Sequence, residues 1–466
     1  MNGAKLCLQA QADVARSCKT HDIPGASIVV AVADEVIEVV YGVVNTRTRV
    51  PVTPDAVFQI QSVTKVFTAT LVMQLVDEGL VDLDDPVRYH LPEFRTADVA
   101  ASEQITVRHL LTHSGGFEGD LWQPTTSDDD ALNRFVRDLV TNAVQYSAPG
   151  RRFSYCNAGF GTLGRLVEVK RGSTYEVALR RQLAAPLGIE ELAFSADQAL
   201  AFRAAIGHVR TSPDGVLRPL RHWALMPQSN PAAGNQLAMS ARGLAALGRV
   251  FASGGRTDDG GRILSEAAIL EMLRPQLRHR VDVPTPVYQG LGWCLPRPGV
   301  AEHGGGAPGV AAMLTVVPEC RLTIVVLTNA DAGAKLAGDV RDALLADIAD
   351  VSPVAPVPVP DQEVRVPDVT SYEGCYGNRQ TVIEVKADDA GRLWQSVEVR
   401  ADQLVMAQRA GFTPTVDRYE LRPLTGATFV RVTGVGASAG TVVFGDPDTA
   451  GRFTTVADDR VTARLD

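Results

Sequence analysis

Ten residues divide this chain in two. The segment Val351-Ser-Pro-Val-Ala-Pro-Val-Pro-Val-Pro360 holds four prolines, and each proline lacks a backbone N–H and fixes its own φ, so neither a helix nor an interior strand can run through it. An extended, polyproline-like linker is the conformation left. The 466 residues are therefore read as a unit at 1–350, a linker at 351–367 and a second unit at 368–466.

With 45% hydrophobic residues overall, a unit of the first size can bury a substantial core. Residues 1 to about 20 have a helical pattern, and Ala26–Ala33 with Val36–Gly42 form a predicted hairpin around Asp34-Glu35. A mostly helical middle follows, with its clearest helix at Gln61–Gly79 and others at Ala238–Ser253 and Ser265–Leu273. Strands return at Val310–Val317 and Leu322–Thr328 around the turn Pro318-Glu-Cys-Arg321, before a helix at Ala334–Ile348. Strands at both ends with helices between predict an α/β (α+β) domain whose antiparallel sheet joins its two ends. Beyond the linker, short alternating runs (Thr381–Lys386, Leu393–Val399, Phe429–Val432, Thr441–Phe444) are separated by turn residues, the pattern of a small antiparallel barrel or sandwich.

The formal net charge of −9 comes without a basic block, which argues against nucleic acid as a partner. No apolar run reaches the ~18 residues of a membrane span. Lys5, Gln9, Gln11 and Asp13 interrupt any signal-peptide core, so a cytoplasmic protein is expected. Six cysteines at 7, 18, 156, 294, 320 and 375 are scattered and read as free thiols. Neither the cysteines nor the eight histidines have metal-ligand spacing, so neither a metal nor another cofactor is expected.

Three local patterns carry chemistry. Ser62 and Lys65 lie three apart at the start of the predicted helix, so one helical face brings hydroxyl and amine together. The apolar run Val66–Val76 implies burial, which lowers a lysine pKa towards the neutral amine a base requires. A capping serine beside a solvated lysine has the same spacing. Second, Tyr155 and Asn157 stand two apart before a predicted helix; in extended chain both would enter one cleft, and a tyrosine near a cationic lysine can share or lose its proton. Third, His303-Gly304-Gly305-Gly306 precedes the Val310 strand, where glycines let a substrate backbone approach and expose N–H groups to an oxyanion. Two further matches fail on context. Gly304–Gly309 fits G-x-G-x-x-G but leads into a strand, and Gly436-Ala-Ser438-Ala-Gly440 fits G-x-S-x-G between two strands.

In order and spacing, S-x-x-K, Y-x-N about ninety residues later and H-G-G before a late strand resemble the serine β-lactamase and penicillin-binding-protein superfamily, in its class C-like form, over roughly residues 15–350. Ile105–Gly116 and Leu291-Gly-Trp293 extend the resemblance. It implies an acyl-enzyme route with Ser62 as nucleophile, Lys65 as general base and Tyr155 as second acid/base. By the same resemblance Asn157 and His303 orient substrate, and the N–H groups of Ser62 and Gly306 form the oxyanion hole. Histidine replaces the lysine that often opens the third motif. An imidazole near its ordinary pKa of ~6.5 is mostly neutral at pH 7, which weakens recognition of a β-lactam carboxylate.

With Tyr372-Glu-Gly-Cys-Tyr376 opening a C-terminal barrel, the chain is most similar to the penicillin-binding-protein-type thioesterases. These release and cyclise nonribosomal peptides from a carrier protein and have a lipocalin-like C-terminal domain. D-stereoselective aminopeptidases, amidases and esterases of the same superfamily remain open, as does an inactive binding protein. From the barrel side Arg431 or Arg452 is a candidate for a carboxylate or phosphate contact, and both read equally well as solvated strand charges.

Overall fold

The fold follows from the alternation of apolar residues along its strands. The computed structural model describes every residue except 1, 2, 211–214, 224, 226–228, 280–285, 362, 363, 365, 367, 412, 413, 415, 435 and 436. Helix α1 (Gly3–Thr20) leads into strands β1 (Gly25–Val32) and β2 (Glu35–Gly42). After the helical region come β3 (Val300–Ala307), β4 (Val310–Val317) and β5 (Leu322–Thr328). β1 pairs antiparallel with β5, from Ala26 opposite Thr328 to Val32 opposite Leu322, so the two ends of the unit meet as neighbours in one sheet. Ile28, Ile324 and Val326 pack on one face with Val14, Cys18, Leu336 and Leu345 of the terminal helices. Val29, Val325 and Leu327 point the other way into the main core with Leu244, Leu247 and Phe251, as the two-residue period of a strand requires.

Two expected helices differ at their starts. The segment beginning at Gln61 opens as a 3₁₀ turn, Gln61–Val63, before helix α2 (Thr64–Asp77). Ala238-Met239 is a short strand, and the helix that follows runs from Ala241 to Ala252 with the Ser240 side chain accepting the Gly243 N–H. The third motif does not merely precede the Val310 strand but is itself strand. His303 to Gly306 lie inside β3 and pair with Leu314 to Ala311 of β4.

The segment after the first domain has no regular structure from 351 to 361. The second domain is a closed antiparallel barrel of eight strands, from Gly374–Gly377 to Val461–Arg464. Its core contains Tyr376, Val385, Leu421, Phe429 and Phe444. Ser438 begins a barrel strand, Ser438–Pro447; Gly436, the first glycine of the G-x-S-x-G match, lies outside the described residues. No helix among the described residues is long and apolar enough to cross a membrane.

Candidate active site

Gln61 is held at φ 48°, a left-handed conformation for a residue with a side chain, at a cost of about 1–2 kcal/mol. The strain turns the chain so that Ser62 stands on the 3₁₀ turn and Lys65 on the first turn of α2. Gly234 packs against this bend at φ 104°, where a Cβ would sit 2.0 Å from the Gln61 carbonyl oxygen, so only glycine fits. The approach brings the Ala233 carbonyl to within 2.7 Å of Lys65 Nζ. On its other side Nζ is 3.1 Å from Ser62 Oγ.

Lys65 has no exposed surface. Burial holds its amine well below the ordinary lysine range; the Asp120 carboxylate partly opposes this, and the Arg460 guanidinium adds to it. A neutral amine can donate to Ala233 O and present its lone pair to the Ser62 hydroxyl. Tyr155 is hydrogen-bonded to Ser62, and burial raises its phenol pKa, opposed by that bond. The proton-sharing expected from a cationic lysine is therefore not the resting arrangement: Tyr155 stays a phenol, and the Lys65 amine lies at hydrogen-bond distance from Ser62 with its pKa lowered.

Ser62, Tyr155, His303, Gly304 and Gly306 line one cavity of about 420 Å³. His303 donates from Nδ1 to the Gly304 carbonyl at 2.7 Å, leaving Nε2 as an acceptor. Burial lowers its pKa to about 3, with Lys65 contributing, so the imidazole is neutral at pH 7. Gly304 and Gly306 have open space where a side chain would stand, whereas a Cβ on Gly305 would meet the Ile60 carbonyl oxygen at 2.1 Å. Gly305→Ala should therefore push the strand away from the Ser62 turn, costing about 1–3 kcal/mol. A lowered melting temperature, beside an unchanged one for Gly304→Ala, checks this.

Asn157 does not enter the cavity beside Tyr155. It is the first residue of the helix Asn157–Arg171, so the alternation of an extended chain ends before it. Its amide Nδ2 donates to Asp120 Oδ1 at 2.5 Å, and Asp120 is itself 6% exposed. The other carboxylate oxygen accepts from Arg460 Nε. Arg460 belongs to the last barrel turn, and its guanidinium lies 5.0 Å from the Tyr155 ring centroid.

The barrel does reach the cleft, but through Arg460 and Asp459, which line the cavity. Arg431 is paired with Asp458 at 3.2 Å, and Arg452 with Asp448 inside its own turn at 3.0 Å; neither lines the cavity. The seam is also built from main chain. Tyr155 N–H donates to Asp459 O at 2.8 Å, and Val461 N–H to Ser154 Oγ at 3.1 Å. Arg379 of the barrel pairs with the buried Glu118 at 2.8 Å. Among the described residues no cluster of His, Cys, Asp or Glu could hold a metal ion.

The structure brings the Ser62 hydroxyl, the buried Lys65 amine and the Tyr155 phenol together beside a glycine-rich strand. Residues 10–348 match the family described as Beta-lactamase. The chain belongs to that family. Family membership makes it a serine-hydrolase-type protein with an α/β domain. "Penicillin-binding protein 4" of Amycolatopsis lactamdurans is 36% identical over 76% of this chain and 93% of its own length. The crystal structure of SurE superposes over 100% of both chains with a TM-score of 0.76 and 26% identity, and SurE has also been solved with D-Leu. An octameric penicillin-binding-protein homologue from Pyrococcus abyssi shares the fold over 99% of both chains, with a TM-score of 0.63 and 24% identity.

Proposed function

We propose that this protein releases a peptidyl thioester by acylating Ser62 and closes the peptide head to tail, acting as a penicillin-binding-protein-type thioesterase on a nonribosomal peptide delivered by a carrier protein. The observation that carries the acyl-enzyme step is the wholly buried Lys65 amine 3.1 Å from Ser62 Oγ. Ser62 Oγ attacks the thioester carbonyl while its proton passes to Lys65 Nζ. The oxyanion is held by the N–H groups of Ser62 and Gly306, and the thiolate leaves with the proton of Tyr155. The peptide's own amine then attacks the Ser62 ester, its proton returns to Tyr155, and Ser62 Oγ recovers its proton from Lys65. One thioester and one amine become one amide and one thiol.

Two features support an amine as acceptor over β-lactam chemistry. A neutral His303 offers Nε2 to an amine N–H and no fixed cation to a carboxylate. The barrel residues Asp459 and Arg460 line the cavity beside Tyr155, displacing water where the acceptor must enter. The likeness to SurE includes the barrel and extends to a protein solved with D-Leu, which favours a D-residue at the acylated end. That observation equally suits a D-stereoselective amidase or esterase, in which water replaces the amine. The test is a linear peptidyl thioester ending in a D-residue, with products read by mass. A product one water lighter than the free acid is expected, and hydrolysis alone across varied peptides would reject cyclisation.

A further inference from the structure

Beside the three reacting groups, the cavity wall holds a second buried imidazole with no part in that scheme. His113 is 1% exposed, lines the cavity and is held at φ 56°, a strained conformation for histidine. In that conformation its main chain and side chain address the same segment, Ser154–Cys156. The His113 carbonyl accepts the Ser154 N–H at 2.8 Å, and His113 Nδ1 accepts the Cys156 N–H at 3.0 Å. The intervening Tyr155 N–H points the other way, to Asp459 O of the barrel. The Tyr155 ring lies 4.4 Å from the His113 ring, centroid to centroid, at 30°, and Phe160 packs 4.9 Å from the same imidazole. An Nδ1 that accepts leaves the proton on Nε2, and Nε2 has no hydrogen-bond partner among the described residues. The ring's polar role is thus the Cys156 N–H. Lys65, not His113, is at hydrogen-bond distance from Ser62.

We propose that His113 is the positioning residue for Tyr155: by gripping the N–H groups on either side of Tyr155 and stacking on its ring, it fixes where the phenol oxygen stands relative to Ser62. The inference rests on the reading of Tyr155 as the acid/base of acyl transfer. It gives the left-handed strain at His113 a purpose, since with its carbonyl and Nδ1 directed at one segment, Ser154–Cys156 cannot slide by a residue without losing both bonds.

A double-mutant cycle with a nitrophenyl acyl ester as probe separates positioning from bulk stability. His113→Phe keeps the ring stack and loses the acceptor; His113→Asn keeps an acceptor oxygen and loses the ring. We expect His113→Phe to lower kcat on the order of 30-fold with KM nearly unchanged, and to cost less than about threefold more in a Tyr155→Phe background. A full kcat in His113→Phe, or the same fold-loss in both backgrounds, overturns the proposal. If Tyr155→Phe alone keeps full kcat, the acid/base reading of Tyr155 fails first and this inference falls with it. Should His113→Phe not fold, the imidazole nitrogen NMR of the unsubstituted protein decides. A pyridine-like Nδ1 and protonated Nε2 on His113 are expected, and a protonated Nδ1 overturns the proposal.

Discussion

Lys65→Met should lower the rate of Ser62 acylation by about 10³-fold and at the same time raise the melting temperature. Both effects have one cause. Lys65 is wholly buried and its amine is held below the ordinary lysine range by that burial. Between the folded-state and unfolded-state pKa values the unfolded chain binds a proton that the folded protein does not. Stability therefore rises with pH through that window, and below it the native state bears the cost of a buried charge. Methionine has nearly the same length without the amine, so the cost disappears with the base. The Ala233 carbonyl loses its 2.7 Å donor, a penalty of about 1 kcal/mol that partly offsets the gain. Intact-mass spectrometry after timed exposure to an acyl ester reads the first effect, and a thermal melt reads the second. Ser62→Ala should form no adduct at all, whereas Lys65→Met should form it slowly. Unimpaired acylation in Lys65→Met would sink the assignment of Lys65 as base.

The same burial explains which parts of the site were legible in the sequence. The apolar run Val66–Val76 announced a buried helix, so a depressed lysine pKa followed from residue order alone. The left-handed Gln61 that lifts Ser62 onto a 3₁₀ turn was not legible, because it depends on Gly234, more than 170 residues away in the chain. Three consecutive glycines carry no strand propensity, and β3 exists there because β4 supplies its hydrogen bonds. Asn157 was expected beside Tyr155 on a two-residue period, a rule that lapses where the helix begins. The sheet joining both ends and the barrel beyond the prolines were read from alternation, which is local. Arg460 left no local signal at all: it is one of many arginines on turns, and its partner Asp120 lies 340 residues earlier.

That long-range pair gives the barrel an electrostatic hold on the Lys65 amine, and with Lys65 as the proposed base, removing one member or the other should move the pH profile in opposite directions. Arg460 and Asp120 act on Lys65 with opposite signs, the guanidinium lowering its pKa and the carboxylate raising it. Acylation requires the neutral amine, so the acid limb of kcat/KM follows the Lys65 pKa. Arg460→Ala removes a cation and should shift that limb to higher pH; Asp120→Asn removes an anion and should shift it to lower pH. At pH 7 Arg460→Ala is expected to lose about 100-fold in kcat/KM. It deprotonates Lys65 less readily and also frees Asp120, and with it the Asn157 amide, from a fixed position. Asp120 is 6% exposed while the Arg460 side chain is 37% exposed, so solvent softens the loss of the pair to about 2 kcal/mol of stability rather than the larger cost of a fully buried one. Rate profiles of both variants with one acyl ester check the signs. Limbs that move together, or not at all, would mean that the barrel covers the cavity without tuning its base.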